Sequence, residues 1–501
     1  MRASLIKKTT ALVSFVITAL YVLPTVAEED KKSSSVRVHE TLQSRLDIHP
    51  NTNTARNIIL FIGDGMGVST VTAARIFDGQ SRGESGEENS LSFEHFPHIA
   101  LIKTYNTNQQ VPDSAGTATA MHTGQKTRAG LISVGPETLR GSCAHSLTNP
   151  LNTIVELAEQ NGKATGIVTT TRITHATPAT LYAHTPERDW ESDRYIPEQA
   201  KQRGCKDIAR QLIEFDKGDG IDLMLGGGRN MFFGSDLGGE RITANDNLVE
   251  EWLNQSTRRQ YITGAEELEK ISDDKQILGL FSRGHLSYLL DRKDDSKEPT
   301  LSQMTQHAIK YLVDKESGYF LMVEGGRIDH GHHKGVAGYA LTQAQEFAKA
   351  VSVAIENSDP KDTLILVTAD HSHVFNISGY PTRGNPILGL VRGNNKQGEP
   401  EDKPKLAADG VPYTTLGYLN GPGALKHDDK KRPVPSAGTA ARQQAAIPTQ
   451  TTLPNGFKIG FETHAGEDVA LYANGPWAHL VGGVLEQNAI FHLMKYAYGW
   501  E

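Results

Sequence analysis

The amino-acid sequence predicts an α/β protein with a large, mostly parallel central sheet and helices on both faces. Three observations carry this. Short continuous apolar runs rich in β-branched residues recur along the chain, and such runs fit strands buried on both faces. Segments with helical periodicity lie between them. The chain has 501 residues and no internal repeat, which is room for one large α/β domain or two to three smaller ones.

The N-terminus stands apart from the fold. Arg2, Lys7 and Lys8 precede an apolar run from Ala11 to Leu23, and Pro24-Thr25-Val26-Ala27 offers small residues at both cleavage positions. Residues 1–27 therefore read as a secretory signal peptide cut after Ala27. An uncleaved anchor is the competing reading, although the run is short for a membrane span. Cleavage removes three positive charges and takes the net charge from −8 to −11. No other segment is apolar enough to span a bilayer, and the acidic balance gives no support for a nucleic-acid partner. The two cysteines, Cys143 and Cys205, read as one disulfide in an exported protein, with two free thiols as the alternative. They are too few for a zinc site built on cysteines.

The remaining residues, 28–501, are expected to form one domain. After a polar arm to residue 56, Asn57 to Ile62 is a buried strand that runs into Gly63-Asp64-Gly65-Met66-Gly67, and a helix begins near Val68. The same grammar recurs. A strand at 164–170 leads to a loop with His175 and Thr177, and one at 221–225 ends in three glycines. A strand at 319–323 ends in Glu324-Gly325-Gly326, and one at 363–368 ends in Ala369-Asp370-His371. Helices are expected at about 151–161, 198–214, 301–315 and 338–357. Residues 380–461 are rich in Gly, Pro, Lys and Asp and read as an inserted surface subdomain. His464 follows, as the chain re-enters strand-like sequence at Val469.

Between the first strands lies Val111 to Gly124, a loop turning into a short helix of small residues. Pro112 marks the entry, Asp113 or Ser114 can cap the first turn, and Gly124 can end the helix. A hydroxyl at this position meets the free N–H groups and dipole that favour an anion. Taken alone, Ser114 reads as a cap.

The residues that follow the strands change that reading. Asp64, Glu324, Asp329, His333, Asp370, His371 and His464 are imidazole and carboxylate donors of the kinds that hold zinc and magnesium. Asp329 and His333 are four apart, so one helical turn puts both on one face. The adjacent pair Asp370-His371 can give two ligands to one ion. Asp64, at the end of the first strand, is placed to bridge two ions. His330, His332 and His373 are expected to steady the ligands or the substrate side rather than to bind metal.

The segments Gly63 to Gly67, Asp113-Ser114-Ala115, Glu324 to His333, Ala369 to His373 and Glu462 to Asp468 together resemble the alkaline phosphatase family, in order and over nearly the whole chain. The resemblance implies a zinc- and magnesium-dependent phosphomonoesterase, a homodimer, whose nucleophile is Ser114, with a crown-like insertion at 380–461. It implies one zinc on Asp329, His333 and His464, a second on Asp64, Asp370 and His371, and a magnesium on Asp64, Thr177 and Glu324. The phosphate-binding arginine falls on Arg188, with Arg172 and Arg327 as rivals from sequence alone. The Cys143–Cys205 pairing matches a family disulfide. His175 and His330 resemble the animal and several marine bacterial members, which weakens a tight magnesium at the third site. The acidic ligand of the animal calcium site appears here as Ser282, so that site is not expected. With the signal peptide, the resemblance points to a periplasmic or secreted enzyme that acts on small phosphate monoesters.

Overall fold

The computed structural model describes residues 38–424, 434–447 and 461–500. The expected signal peptide lies outside the described residues. Residues 38–49 belong to a short separate unit, helical over 38–46. Pro50–Glu501 forms one compact unit.

Within that unit the strands are β1 (Asn57–Gly63), β2 (His98–Lys103), β3 (Ala164–Arg172), β4 (Leu223–Gly227), β5 (Arg259–Ile262), β6 (Gln276–Leu280), β7 (Tyr319–Glu324), β8 (Thr363–Ala369), β9 (Ser372–His373), β10 (Phe375–Ile377), β11 (Leu416–Asn420), β12 (Gln444–Ile447), β13 (His464–Ala465), β14 (Val469–Asn474) and β15 (Val484–Glu486). Ten of them form one sheet in the order β15-β2-β14-β8-β1-β7-β3-β4-β6-β5. Only β14 runs against the rest, pairing antiparallel with both β2 and β8. β10, β11 and β12 make a separate three-stranded sheet, and β9 pairs with β13.

The helices that matter for the site are α1 (Val68–Ser81), α2 (Ser114–Thr123), α3 (Ile154–Gln160), α4 (Leu301–Leu312), α5 (Arg327–His333), α6 (Ala337–Glu356) and α7 (Ala489–Ala497). Every residue of β1, β7 and β8 is buried. Successive side chains of a strand point to opposite faces, so this burial requires cover on both. Phe347 of α6 meets Phe61 edge to face at 5.8 Å. Cutting such a ring back to alanine costs about 3–5 kcal/mol.

The expected helix over 198–214 is instead two, Glu198–Gln202 and Ile208–Ile213. Gly204, with φ of +92°, turns the chain between them, and Asp207 caps the second through the Arg210 N–H. Cys205, in the break, is joined to Cys143 as a disulfide with 5.9 Å between Cα atoms.

The sheet register brings the acidic turns level. Ile62 pairs with Glu324, Gly63 with Ala369, and Thr169 with Glu324. Asp64, Glu324 and Asp370 therefore meet at the carboxyl edge of three adjacent strands, where open α/β sheets hold their ligands.

Candidate active site

Ser114 is the first residue of α2 and is buried. The Asp113 side chain caps this helix, accepting the Gly116 N–H at 3.1 Å through Oδ1. Its other oxygen, Oδ2, takes the Arg188 Nη1–H at 3.1 Å and the Gly130 N–H at 2.9 Å. One carboxylate thus both starts the helix and aims the arginine. Ser114 Oγ lies 3.2 Å from His371 Nε2.

His371 Nε2 is also 3.5 Å from Asp64 Oδ1 and 3.3 Å from Asp370 Oδ2. All three residues are fully buried. Asp64 belongs to a second group as well, with Glu324 and His175. Glu324 Oε2 accepts the hydroxyls of Thr169 and Thr171, while its Oε1, both oxygens of Asp64 and Thr177 Oγ1 are buried with no hydrogen-bond partner among the described residues. Burial, followed by the charges of Asp370, Asp329 and Glu324, raises the Asp64 carboxyl well above its ordinary range. Burial pushes Glu324 and Asp370 each to about 7. Oxygen donors crowded, buried and unsatisfied in this way fit hard divalent cations.

The third group holds Asp329, His333, His373 and His464. His333 donates Nδ1–H to the Glu462 carbonyl at 2.6 Å, and His464 donates Nδ1–H to the Pro112 carbonyl at 2.8 Å. A carbonyl only accepts, so the lone pair of each imidazole is left on Nε2. Those two Nε2 atoms face each other at 3.1 Å, and lie 3.2 and 3.3 Å from Asp329 Oδ1. Two lone pairs and a carboxylate oxygen turned toward one point fit a zinc ion.

His373 stands beside this group but differs in kind. Its Nε2 is 2.7 Å from Asp329 Oδ1 and its Nδ1 is 2.5 Å from Glu462 Oε2. Burial works against its charged form, yet Glu462 and Asp329 raise it to about 10. Burial alone would raise Asp329, but His333, His373 and His464 hold it well below the usual carboxylate range.

Among the expected supporting histidines, His330 bonds Arg327 Nη1 at 2.9 Å, and His175 Nε2 is 3.4 Å from Arg188 Nη2. His332 turns away to Thr70 at 3.0 Å and Tyr418 at 2.9 Å. Arg172, a rival phosphate ligand from sequence, is bound instead to Glu191 at 2.5 Å. Ser282 donates to the Gly284 carbonyl at 2.6 Å. The sequence reading missed Glu462 and His285 as members of the site. Glu462 stood two residues from a chosen ligand, whereas nothing near His285 in sequence marks it.

A sequence model of the alkaline phosphatase family matches residues 55–500. The tissue-nonspecific alkaline phosphatase of Gallus gallus is 44% identical, over 94% of this chain and 90% of its own length. The Homo sapiens isozyme is 42% identical over 94% and 89%, and the alkaline phosphatase of Gadus morhua 42% over 91% and 95%. In structure, the Thermus thermophilus alkaline phosphatase aligns with a TM-score of 0.64 at 24% identity, over 90% of this chain and 93% of its own. The enzyme of an Antarctic bacterium aligns at 0.60 and 23%, over 90% and 99%. These two likenesses bear on the fold alone. The fold and the sequence relatives define a phosphoric monoester hydrolase. The chain belongs to the alkaline phosphatase family, and its reaction is the hydrolysis of phosphate monoesters.

Proposed function

We propose that Ser114 is the nucleophile of this hydrolase and that the reaction runs through phospho-Ser114. The observation that supports it is the position of Ser114 Oγ at the start of α2, 3.2 Å from His371 and next to the residue that holds Arg188. Ser114 Oγ attacks phosphorus, the new P–O bond forms, and the ester P–O bond opposite it breaks to release the alcohol. Arg188 holds two phosphoryl oxygens with its planar fork. The start of α2 favours the negative charge on the hydroxyl and then on the phosphoserine. Water then attacks the phosphoserine, releasing inorganic phosphate and restoring the Ser114 hydroxyl.

Asp329, His333 and His464 would hold one zinc, Asp64, Asp370 and His371 a second, and Asp64, Thr177 and Glu324 a magnesium. When bound, these ions supply Lewis acidity, which lowers the pKa of the attacking hydroxyl and stabilises the departing oxygen. His373 and Glu462 keep Asp329 and His333 in place. His175 stands beside the third group and bears on how tightly magnesium is held there. The reading includes a homodimer and a periplasmic or secreted address, the latter supported by residues 1–27 and by the disulfide.

The deciding assay compares an aryl phosphate monoester with an aryl phosphodiester, with and without zinc. The expected result is monoester turnover that a chelator removes and zinc restores. Full turnover without metal, or a preference for the diester, overturns the reading.

A further inference from the structure

Next to the carboxylate-rich groups the site has a wall of opposite character. Arg172, Arg188 and Arg327 converge there with His175, His285 and His330. The three imidazoles lie with ring centroids 4.4, 5.2 and 5.6 Å apart. Their nitrogens are close enough to suggest a metal, but the hydrogen bonds argue otherwise. Arg327 Nη1 donates to His330 Nδ1 at 2.9 Å and Arg172 Nη1 to His285 Nε2 at 2.5 Å. Arg188 Nη2 lies 3.4 Å from His175 Nε2, and the Arg172 backbone N–H, 3.2 Å from His285 Nδ1, faces the ring's own N–H, because a neutral imidazole has a single lone pair. A guanidinium only donates. The one lone pair of each imidazole is therefore turned to an arginine rather than left for a cation, and of the three guanidinium groups Arg172 and Arg188 are ion-paired.

What the wall offers is N–H groups. With Nε2 turned to Arg188, His175 carries its proton on Nδ1, which is buried with no hydrogen-bond partner among the described residues, as is Arg327 Nε. Two of the nearby carboxylates are engaged by the arginines, while Asp64 and Glu324, grouped with His175, are the ones proposed above to hold magnesium. Glu191 takes Arg172 at 2.5 and 2.7 Å and the Thr174 hydroxyl at 2.6 Å, and Asp113 holds Arg188. Arg327 makes no ion pair among the described residues. Its guanidinium is fixed 3.8 Å over the Tyr288 ring, which is itself stacked on Tyr339 at 4.3 Å. A positive group so held needs little ordering to bind an anion. Arg188 belongs both to this wall and to the surroundings of Ser114, so the wall begins where the transferred phosphoryl group ends.

We propose that Arg327, Arg172 and His285, with His175 and His330 beside them, form a second anion subsite. It takes a phosphoryl group carried on the alcohol portion of the substrate, so that bisphosphorylated alcohols are preferred to neutral ones. This rests on the monoesterase reading above. The shared chemistry is a phosphoryl dianion, which can be part of the substrate or free inorganic phosphate.

The test compares kcat/KM for ethylene glycol bisphosphate and ethylene glycol monophosphate, which differ only in the second phosphoryl group. The metal-loaded wild type is expected to prefer the bisphosphate by about 10-fold or more, the scale of a charge-assisted contact. In Arg327→Met the ratio of the two kcat/KM values collapses to the roughly twofold advantage of having two equivalent ends, and the ratio rather than either absolute rate is the readout. Rising ionic strength should erode the wild-type preference, which tests the subsite even if the variant does not fold. Equal use of both esters by the wild type, or a preference that survives both Arg327→Met and high salt, overturns the subsite. A free phosphate held on the wall would leave the two esters equally good while inorganic phosphate inhibited Arg327→Met less than wild type, and that outcome overturns it too. Failure to hydrolyse even the monophosphate would instead strike the monoesterase reading.

Discussion

Glu462 Oε2 accepts the Nδ1–H of His373 at 2.5 Å, and this contact ties the residue two places before His464 to the other metal-ligand candidates. The other Glu462 oxygen takes the Val374 N–H at 2.9 Å. Its backbone carbonyl takes His333 at 2.6 Å, and its N–H bonds the His333 carbonyl at 3.0 Å. One fully buried residue thus fixes His333 directly and Asp329 through His373. We expect Glu462→Gln to fold but to hold zinc about 10–100-fold more weakly, the usual effect of removing a partner that orients a ligand. Competition against a chelator of known affinity reads this, with circular dichroism as the folding control. Unchanged zinc retention would show that Glu462 only packs.

Ser114→Ala should abolish the phosphoenzyme and the burst of alcohol, and should lower kcat by at least about 10³-fold. Metal content should stay near that of wild type, since Ser114 Oγ is hydrogen-bonded beside the ligand candidates rather than counted among them. A surviving burst would remove Ser114 from the mechanism.

Asp113 has two functions that can be separated. Asp113→Asn keeps a capping oxygen but loses the ion pair to Arg188, so kcat/KM for an aryl phosphate should fall while the melting temperature holds. Asp113→Ala should also cost about 1 kcal/mol of stability through the lost cap. Arg188→Lys retains the charge and loses the fork, and is expected to cost roughly 10–100-fold in kcat/KM. Equal behaviour of Arg188→Lys and wild type would mean that the fork is not used.

Far from the site, burial pushes the Glu159 carboxyl up to about 9, assisted by the charges of Asp222 and Asp219. It is 3% exposed and accepts the Thr165 hydroxyl. The folded protein keeps this proton to about pH 9, while the unfolded chain releases it near 4.5. Its stabilising effect is therefore complete below that lower value and is lost as pH climbs toward the upper one. Glu159→Gln, which cannot ionise, should raise the melting temperature relative to wild type at pH near 9 and show little difference in acid. Parallel melting curves of the two proteins across pH would defeat this.

Much of the architecture is written locally in the chain. β1, β7 and β8 are continuous apolar runs because they sit in the middle of the sheet, and the turns after them carry Asp64, Glu324 and Asp370 where the register then aligns them. The Asp329–His333 spacing needs only one helical turn to bring both side chains to 3.2 Å. β2 escaped notice because it alternates, His98-Ile99-Ala100-Leu101-Ile102-Lys103, with Ile99 and Leu101 on its exposed side. The short strands β5, β6 and β15 lack a run long enough to stand out. The break at Gly204 was hidden by the helical periodicity on either side of it. Glu462 and His285 reach the site through contacts made across the chain, and no local spacing encodes those.

The reversed strand β14 carries a consequence for how the enzyme matures. It closes the sheet between β8 and β2, and His464 arrives just before it, after nearly the whole chain has been made. A nascent chain, or one clipped ahead of His464, presents Asp329 and His333 without their partner and offers a carboxylate-lined cleft with no closing imidazole. On the proposed ligand set, the centre is therefore complete only once the part of the chain that carries His464 and β14 is in place.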